Sequence, residues 1–271
     1  MHTGLDSRTV LVTGGNANIG KAIAVAFAAE RTNVVVCGRD AAQGRRVCDE
    51  LLRHGAKDTL WYAADVTDRA QVQALVDAAG EKFGGIDVLV NNVGGNVGLD
   101  AFAESDPSDW ERDIALNVTS TLNCTHAVLP GQIGRGSGRV INIGSVSGIV
   151  GDPLLAVYSA MKGAVHAFTK VLAKEVGRHN ITVNAIAPYG TLPEDGERDV
   201  SSGSRWHPDG IFARLAATRA EELHSVGRRT LLPRQTAHPS EIAAAAVYLA
   251  SDAAAFVTGQ ILSIDGGTQI A

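Results

Sequence analysis

Two side chains four residues apart, Tyr158 and Lys162 in the run Tyr158-Ser159-Ala160-Met161-Lys162, are the groups of this chain best suited to moving a proton. On a helix that spacing puts the phenol and the ammonium on one face, a single turn apart. A free phenol ionises near pH ~10, and a neighbouring cation favours the phenolate, moving the group towards the neutral range where it can exchange a proton with an alcohol or ketone. A Tyr-Lys pair on the exposed face of an amphipathic helix has the same spacing, so the pair carries meaning only with partners. Ser145 ends the run Val140-Ile141-Asn142-Ile143-Gly144-Ser145, and its hydroxyl can donate to and accept from a substrate oxygen; Ser147 competes for that assignment, as does a plain turn serine. Asn117, in Ile114-Ala115-Leu116-Asn117-Val118, is an amide among apolar neighbours, where it needs a reason to be. Holding a water that links Lys162 to solvent would be one.

Apolar, β-branched runs alternate with longer Ala-rich segments of helical period, the pattern of repeated βαβ units around a parallel sheet. Strands are predicted at Thr9–Thr13, Asn33–Gly38, Leu60–Ala64, Val88–Asn91, Arg139–Ile143, Thr182–Ile186 and Ile261–Ile264, with helices near 18–30, 41–54 and 69–83 in the first three units. Seven parallel strands with right-handed crossovers make an α/β, doubly wound, three-layer sandwich. Gly190 to Pro239, rich in charge, Gly, Ser and Pro, breaks the rhythm, with one helix-like patch around Ile211 to His224. It reads as an insertion over about 190–238 that acts as a lid on a single domain, 1–271.

Between the first strand and helix lies Thr13-Gly14-Gly15-Asn16-Ala17-Asn18-Ile19-Gly20, where backbone N–H groups and the helix dipole can receive a pyrophosphate. Gly14 can make the tight turn and Gly20 can let helix and strand approach, while Asn18 stands at the middle position; Asn tolerates left-handed backbone and caps helices well. An ordinary turn that binds nothing would use similar residues, but three more strand ends share the carboxyl edge of the sheet: Gly38-Arg39, Asp65-Val66 and Asn91-Asn92-Val93-Gly94. Asp65, read as closing the third strand, could accept a bond from an adenine amino group; Asn91 and Asn92 offer donors and acceptors, as an Asx-turn also would. At the end of the second strand a carboxylate selects the ribose diol of NAD and a guanidinium the 2′-phosphate of NADP. Gly38-Arg39 therefore favours NADP over NAD, although Asp40 follows directly.

The chain has 271 residues, 45% hydrophobic and 20% charged, with a formal net charge of −5. With no Lys/Arg-rich run, nucleic acid is not an expected partner. Cys37, Cys48 and Cys124 form no CxxC pair or cluster with histidines, so no metal is expected and a reducing compartment is. Long apolar stretches are interrupted before membrane-spanning length, so no membrane partner is expected and the location is read as cytoplasmic.

Taken together these residues resemble the short-chain dehydrogenase/reductase family, of the shorter, single-domain kind, over essentially the full length. Thr13-Gly14 to Ile19-Gly20, Asp65-Val66, Asn91-Asn92-Val93-Gly94, Asn117, Ser145, Tyr158 with Lys162, Pro188 and Asp265-Gly266-Gly267 occur in the family's order and approximate spacing. The resemblance implies a Rossmann-type fold and a tetrad: Tyr158 as general acid/base, Lys162 bonded to the nicotinamide ribose, Ser145 holding the substrate oxygen, Asn117 positioning a relay water. It also implies hydride transfer between nicotinamide and a small-molecule alcohol or ketone, and a homotetramer or homodimer built partly on two central helices. After Pro188, Tyr189 stands where the family generally has glycine, and Thr191 is the residue expected to reach the carboxamide. Tyr189 and the lid residue Trp206, with His207, Phe212 and Leu215, are the expected substrate contacts, and the lid's apolar character points to a cyclic or aromatic substrate. The alternative function is a cofactor-sensing protein of the same fold without turnover, motivated by Asn18 and Tyr189.

Overall fold

Seven strands pair in parallel in the computed structural model: β1 (Thr9–Thr13), β2 (Asn33–Gly38), β3 (Asp58–Ala63), β4 (Val88–Asn91), β5 (Gly138–Ile143), β6 (Ile181–Pro188) and β7 (Ile261–Ile264). Their spatial order is β3-β2-β1-β4-β5-β6-β7. The structure describes residues 3–192, 207, 209–210, 213 and 229–270. Most of the expected lid, with its helix-like patch, lies outside these residues.

Successive side chains of a strand face opposite ways, and the two cores follow that alternation. Val10 and Val12 of β1 join Val34 and Val36 of β2 in a core with Ile23 and Phe27 of α1 (Asn18–Ala29), Leu51 of α2 (Ala41–Arg53) and residues of a helix at Pro239–Ala250. Leu11 and Val35 face the other way, onto Val72 and Leu75 of α3 (Arg69–Phe83) and two later helices, Ser120–Arg135 and Ala156–Val176. The result is the doubly wound three-layer sandwich. Strand order reverses between β1 and β4, and in such sheets ligands bind in the crevice at the carboxyl ends beside that reversal.

Helix starts are set by short carboxylates: Asp40 accepts from Gln43 N at α2, Asp68 from Ala70 N and Gln71 N at α3, and Asp106 from Ser108 N at α4 (Pro107–Ile114). β3, β5 and β6 start one or two residues earlier than predicted, and two strand ends are corrected where they bear on the site. β6 runs on to Pro188 because Ala187 and Pro188 pair with Ser263 and Ile264 of β7, a long-range ladder that outweighs their poor strand propensity. β3 stops at Ala63, so Asp65 does not close the strand; it lies in the following turn, where its Oδ1 accepts from Thr67 N at 2.9 Å and Thr67 Oγ1 at 2.7 Å.

Candidate active site

The 21-residue helix α7 (Ala156–Val176; α5 is Ser120–Arg135 and α6 Ser147–Val150) carries Tyr158 and Lys162 on its inward face. They are 4% and 3% exposed, so the pair is not surface decoration. Burying an ammonium is costly without partners. Lys162 Nζ donates to Ile143 O at 2.8 Å, at the carboxyl end of β5, and lies 5.8 Å from the centre of the Tyr158 ring. Gly94, just past β4, makes room for this arrangement: a Cβ there would come within 2.7 Å of Lys162 Nζ and 2.8 Å of Asn117 Oδ1. The glycine is needed for close approach.

Asn117 is fully buried in a five-residue π-helical segment, Ala115–Thr119, between α4 and α5. Such segments are rare and concentrate at functional sites. Its Nδ2 donates to Gly95 O at 2.7 Å and Asp113 O at 2.8 Å, and its Oδ1 accepts from Gly95 N at 3.0 Å. Both amide protons are thus spent on protein, and the side chain ties the loop after β4 to the helix. The main-chain carbonyl already accepts from Thr121 Oγ1 at 3.0 Å, so a remaining lone pair of Oδ1 is what could hold a water.

Ser145 follows β5 and is buried. Its Oγ accepts from Ser147 N and donates to Ser147 Oγ, both at 3.1 Å, and Ser147 Oγ donates to Asp152 Oδ2 at 2.5 Å. The two serines that compete in sequence are therefore parts of one chain, with Ser147 behind Ser145. Asp152 went unsuspected in the sequence; a carboxylate inside Gly151-Asp152-Pro153, just after a strand end, is the signal that was there to be read.

At the cofactor edge Gly14 has φ +61°, and a Cβ on Gly20 would fall 2.2 Å from Gly14 O, so the two expected glycines are sterically required. Asn18 has φ +43°, the left-handed conformation that Asn tolerates after Gly. It does not cap α1: Ala17 holds that position and no side chain caps the helix. Asn18 Oδ1 is instead buried with no hydrogen-bond partner, as is Thr191 Oγ1 just beyond β6. Both follow carboxyl ends of strands, β1 and β6, where a dinucleotide with hydrogen-bonding groups at both ends could meet them. Ile19 packs partly buried against the α1 side of the core, and Pro188 O accepts from Val146 N, so these two shape the edge.

Thr13 and Asn92 stitch the edge together. Thr13 Oγ1 accepts from Asn92 N and Val93 N, and Asn92 Nδ2 donates to Thr13 O at 2.9 Å. Asn16 Nδ2 donates to Gln43 Oε1 at 2.8 Å, anchoring the turn on α2. Asp40 is committed to capping α2, whereas Arg39 beside it is exposed. Asp65 and the buried Val66 sit at the neighbouring strand end, and the Asp65 carboxylate, held by Thr67 through Oδ1, presents its other oxygen.

A small hollow opens beside Tyr158 between the loop after β4, α4 and the start of α7, lined by Asp100, Asp109, Leu154 and Leu155 among others. Phe102 stacks on Trp110 at its rim, ring centres 5.1 Å apart. Neither aromatic had been singled out, because their pairing requires the loop and α4 to meet. Tyr189 follows β6, half-buried, its N–H bonded to Ile264 O. Trp206, Phe212 and Leu215 lie outside the described residues; His207 Nδ1 accepts from Asp209 N.

Other titratable groups are silenced by burial. Cys37 is pushed up to about 12 and Cys124 well above the usual thiol range, so neither is a nucleophile at neutral pH. His166, one turn after Lys162, is driven down to about 4 by burial and then by the Lys162 charge; it is a neutral packing group beneath Gly144, not a second base.

A short chain dehydrogenase family model matches residues 8–201, and an Enoyl-(Acyl carrier protein) reductase model matches residues 210–269. The chain is 34% identical to 2-(S)-hydroxypropyl-CoM dehydrogenase 3 of Xanthobacter autotrophicus, covering 98% of each. It is 35% identical to glucose 1-dehydrogenase 2 of Bacillus subtilis over 98% of this chain and 96% of that one. With cis-4-hydroxycyclohexanecarboxylate dehydrogenase of Sinomonas cyclohexanicum the identity is 36% over 96% of each. Among solved structures, a short-chain type dehydrogenase/reductase from Mycobacterium ulcerans superposes with a TM-score of 0.85 at 27% identity, covering 98% of this chain and 91% of that one. The chain belongs to the short-chain dehydrogenase/reductase family, NAD(P)-binding oxidoreductases acting on CH–OH groups.

Proposed function

We propose that the protein is an NADP-preferring dehydrogenase/reductase for secondary alcohols and ketones that carry a ring, with Tyr158 as the proton-transferring group. The observation that carries this reading is the burial of Tyr158 and Lys162 together on one face of α7, with Lys162 fastened to the end of β5. The bound cofactor supplies or accepts the hydride. Tyr158 gives a proton to the carbonyl oxygen during reduction and takes one from the hydroxyl during oxidation. Lys162 stabilises the phenolate by its charge and would hold the nicotinamide ribose when the cofactor is bound. Ser145 hydrogen-bonds the same substrate oxygen and so fixes it near Tyr158. Asn117 ties the β4 loop to the helix through Gly95, and in this reading a water bridging Lys162 to solvent is held at its Oδ1.

Asn18 and the turn around Gly14 would hold the pyrophosphate, Asp65 and Val66 the adenine, and Thr191 the carboxamide. The preference for NADP rests on Arg39, exposed at the end of β2; Asp40 beside it gives one oxygen, Oδ1, to the cap of α2. The ring-bearing substrate is supported by the Phe102–Trp110 stack beside Tyr158, with Tyr189 and Trp206 proposed as further substrate contacts. Relatives named for glucose and for a hydroxycyclohexane carboxylate also act on rings. Exposed Leu122 and Ile133 on α5 and Val171 on α7 support assembly into a homodimer or homotetramer through these helices. A cofactor sensor without turnover is disfavoured, because Asn18 takes the left-handed conformation that a glycine would.

The test is to titrate the purified protein with NADP(H) and NAD(H), then follow nicotinamide absorbance across a panel of cyclic secondary alcohols and ketones. Tighter NADP binding and turnover of ring substrates are expected. No absorbance change with either cofactor across the panel would refute the reading.

A further inference from the structure

Asp152 lies in the loop between Ser145 and Tyr158 and contacts both ends of it. Its Oδ2 accepts the Ser147 hydroxyl at 2.5 Å, in the range of a hydroxyl bonded to an ionised carboxylate. With its proton committed there, Ser147 Oγ is left as the acceptor for Ser145 at 3.1 Å, while Ser147 N–H donates to Ser145 Oγ at 3.1 Å. A lone serine hydroxyl on a turn has three staggered positions to choose from; these two bonds select one. In the other direction, Asp152 N–H donates to Ser159 Oγ at 3.3 Å, on the first turn of α7 next to Tyr158. Gly151, with φ +73°, makes the sharp bend that lets the carboxylate fold back towards Ser147, whose carbonyl accepts from Gly151 N at 2.9 Å. Ser145 and Ser147 are both buried, so water does not compete freely for these bonds.

We propose that Asp152 is a positioning residue that, through Ser147 on one side and Ser159 on the other, fixes the Ser145 hydroxyl relative to the Tyr158 phenol. Two groups that must meet one substrate oxygen have to be held within a fraction of an ångström, and misplacement by about 1 Å can cost on the order of 100-fold in rate. Backbone alone leaves the Ser145 Cβ–Oγ bond free to rotate; Ser147, anchored by the carboxylate, holds the oxygen through its N–H, and the Ser145 proton, given to Ser147 Oγ here, turns to the ketone oxygen when substrate enters. The inference rests on the reading that Ser145 holds the substrate oxygen.

The experiment uses full-length protein and the ketone of the cyclic panel that is reduced fastest. Asp152→Ala and Ser147→Ala are each made in the wild type and in a Ser145→Ala background, and kcat, KM and cofactor Kd are measured. In the wild type each is expected to lower kcat about 10-fold with cofactor Kd unchanged, and Asp152→Asn, which keeps an acceptor for Ser147, restores most of the loss. In the Ser145→Ala background neither substitution should lower kcat further, because the group it positions is gone. A kcat within about 2-fold of wild type for Asp152→Ala, or a further 10-fold loss on top of Ser145→Ala, overturns the proposal. If Asp152→Ala does not fold, Ser147→Ala in the same two backgrounds decides it. A Ser145→Ala enzyme as fast as wild type would overturn the reading of Ser145 and this inference with it.

Discussion

The two halves of the crevice are built differently. The floor, around Tyr158, Lys162, Asn117 and Ser145, is buried, and nearly every polar atom that could wander is tied to backbone or to another side chain. The cofactor rim, from Asn18 to Arg39 and Asp65, is partly open, and its polar groups include an orphan at Asn18 and an exposed guanidinium at Arg39. Chemistry that needs sub-ångström placement sits where packing enforces it, and selectivity sits where a single side chain can change without disturbing a core. Substitutions of Tyr158 and Ser145 should therefore act on kcat at nearly constant cofactor affinity, and those in the rim on cofactor choice at nearly constant kcat.

The sharpest break in that contrast is Tyr158→Phe, which keeps the ring and removes the proton-carrying oxygen. It is expected to lower kcat by about 10³-fold while cofactor Kd, read by fluorescence titration, stays within about 2-fold. Gly94→Ala should come next, since its Cβ would lie 2.7 Å from Lys162 Nζ and 2.8 Å from Asn117 Oδ1. Pushing these two apart is expected to cost roughly 100-fold in kcat, and steady-state kinetics showing less than 3-fold would mean the floor is more pliant than described. On the rim, Arg39→Asp should move the NADP/NAD ratio of kcat/KM by about 10- to 100-fold towards NAD. An unchanged ratio would remove Arg39 as the phosphate reader.

The smallest effect concerns stability. His166, held near 4 when folded against an ordinary 6.5, binds a proton more readily once the chain unfolds. Stability contributed by keeping it neutral is therefore complete above about pH 6.5 and is lost as pH falls towards about 4, by up to roughly 3 kcal/mol. Tm measured between pH 7 and 4.5 should fall more steeply for the wild type than for His166→Leu. Parallel slopes would show that the floor tolerates a charge beneath Gly144.

Much of this was legible beforehand where local pattern and long-range packing agree. β1, β2 and β4 are short β-branched or apolar runs largely buried on both faces, β7 is a half-buried edge strand of similar make-up, and the bounds of all four match the reading from sequence. Pro188 was read as lying beyond the sixth strand because propensity is local, while the ladder to β7 is not. Asp65 was read as a strand end because Ala63 and Ala64 extend the apolar run; only the bonds to Thr67 reveal the turn. The tetrad residues are found by type and spacing, but their burial is a tertiary fact, and it is burial that separates Tyr158-Lys162 from an ordinary helix surface. Asp152 was invisible for the same reason, its meaning lying in a bend that brings it back to Ser147. Trp206, the expected lid contact, lies outside the described residues.

The central claim is that Lys162 makes Tyr158 a usable base. It is tested most directly by the pH dependence of kcat/KM for alcohol oxidation in wild type and Lys162→Met, each saturated with oxidised cofactor. The account predicts that the rising limb of the variant moves upward by at least one pH unit, towards the free phenol near about 10. A variant that is slower but titrates at the same pH as wild type would contradict it.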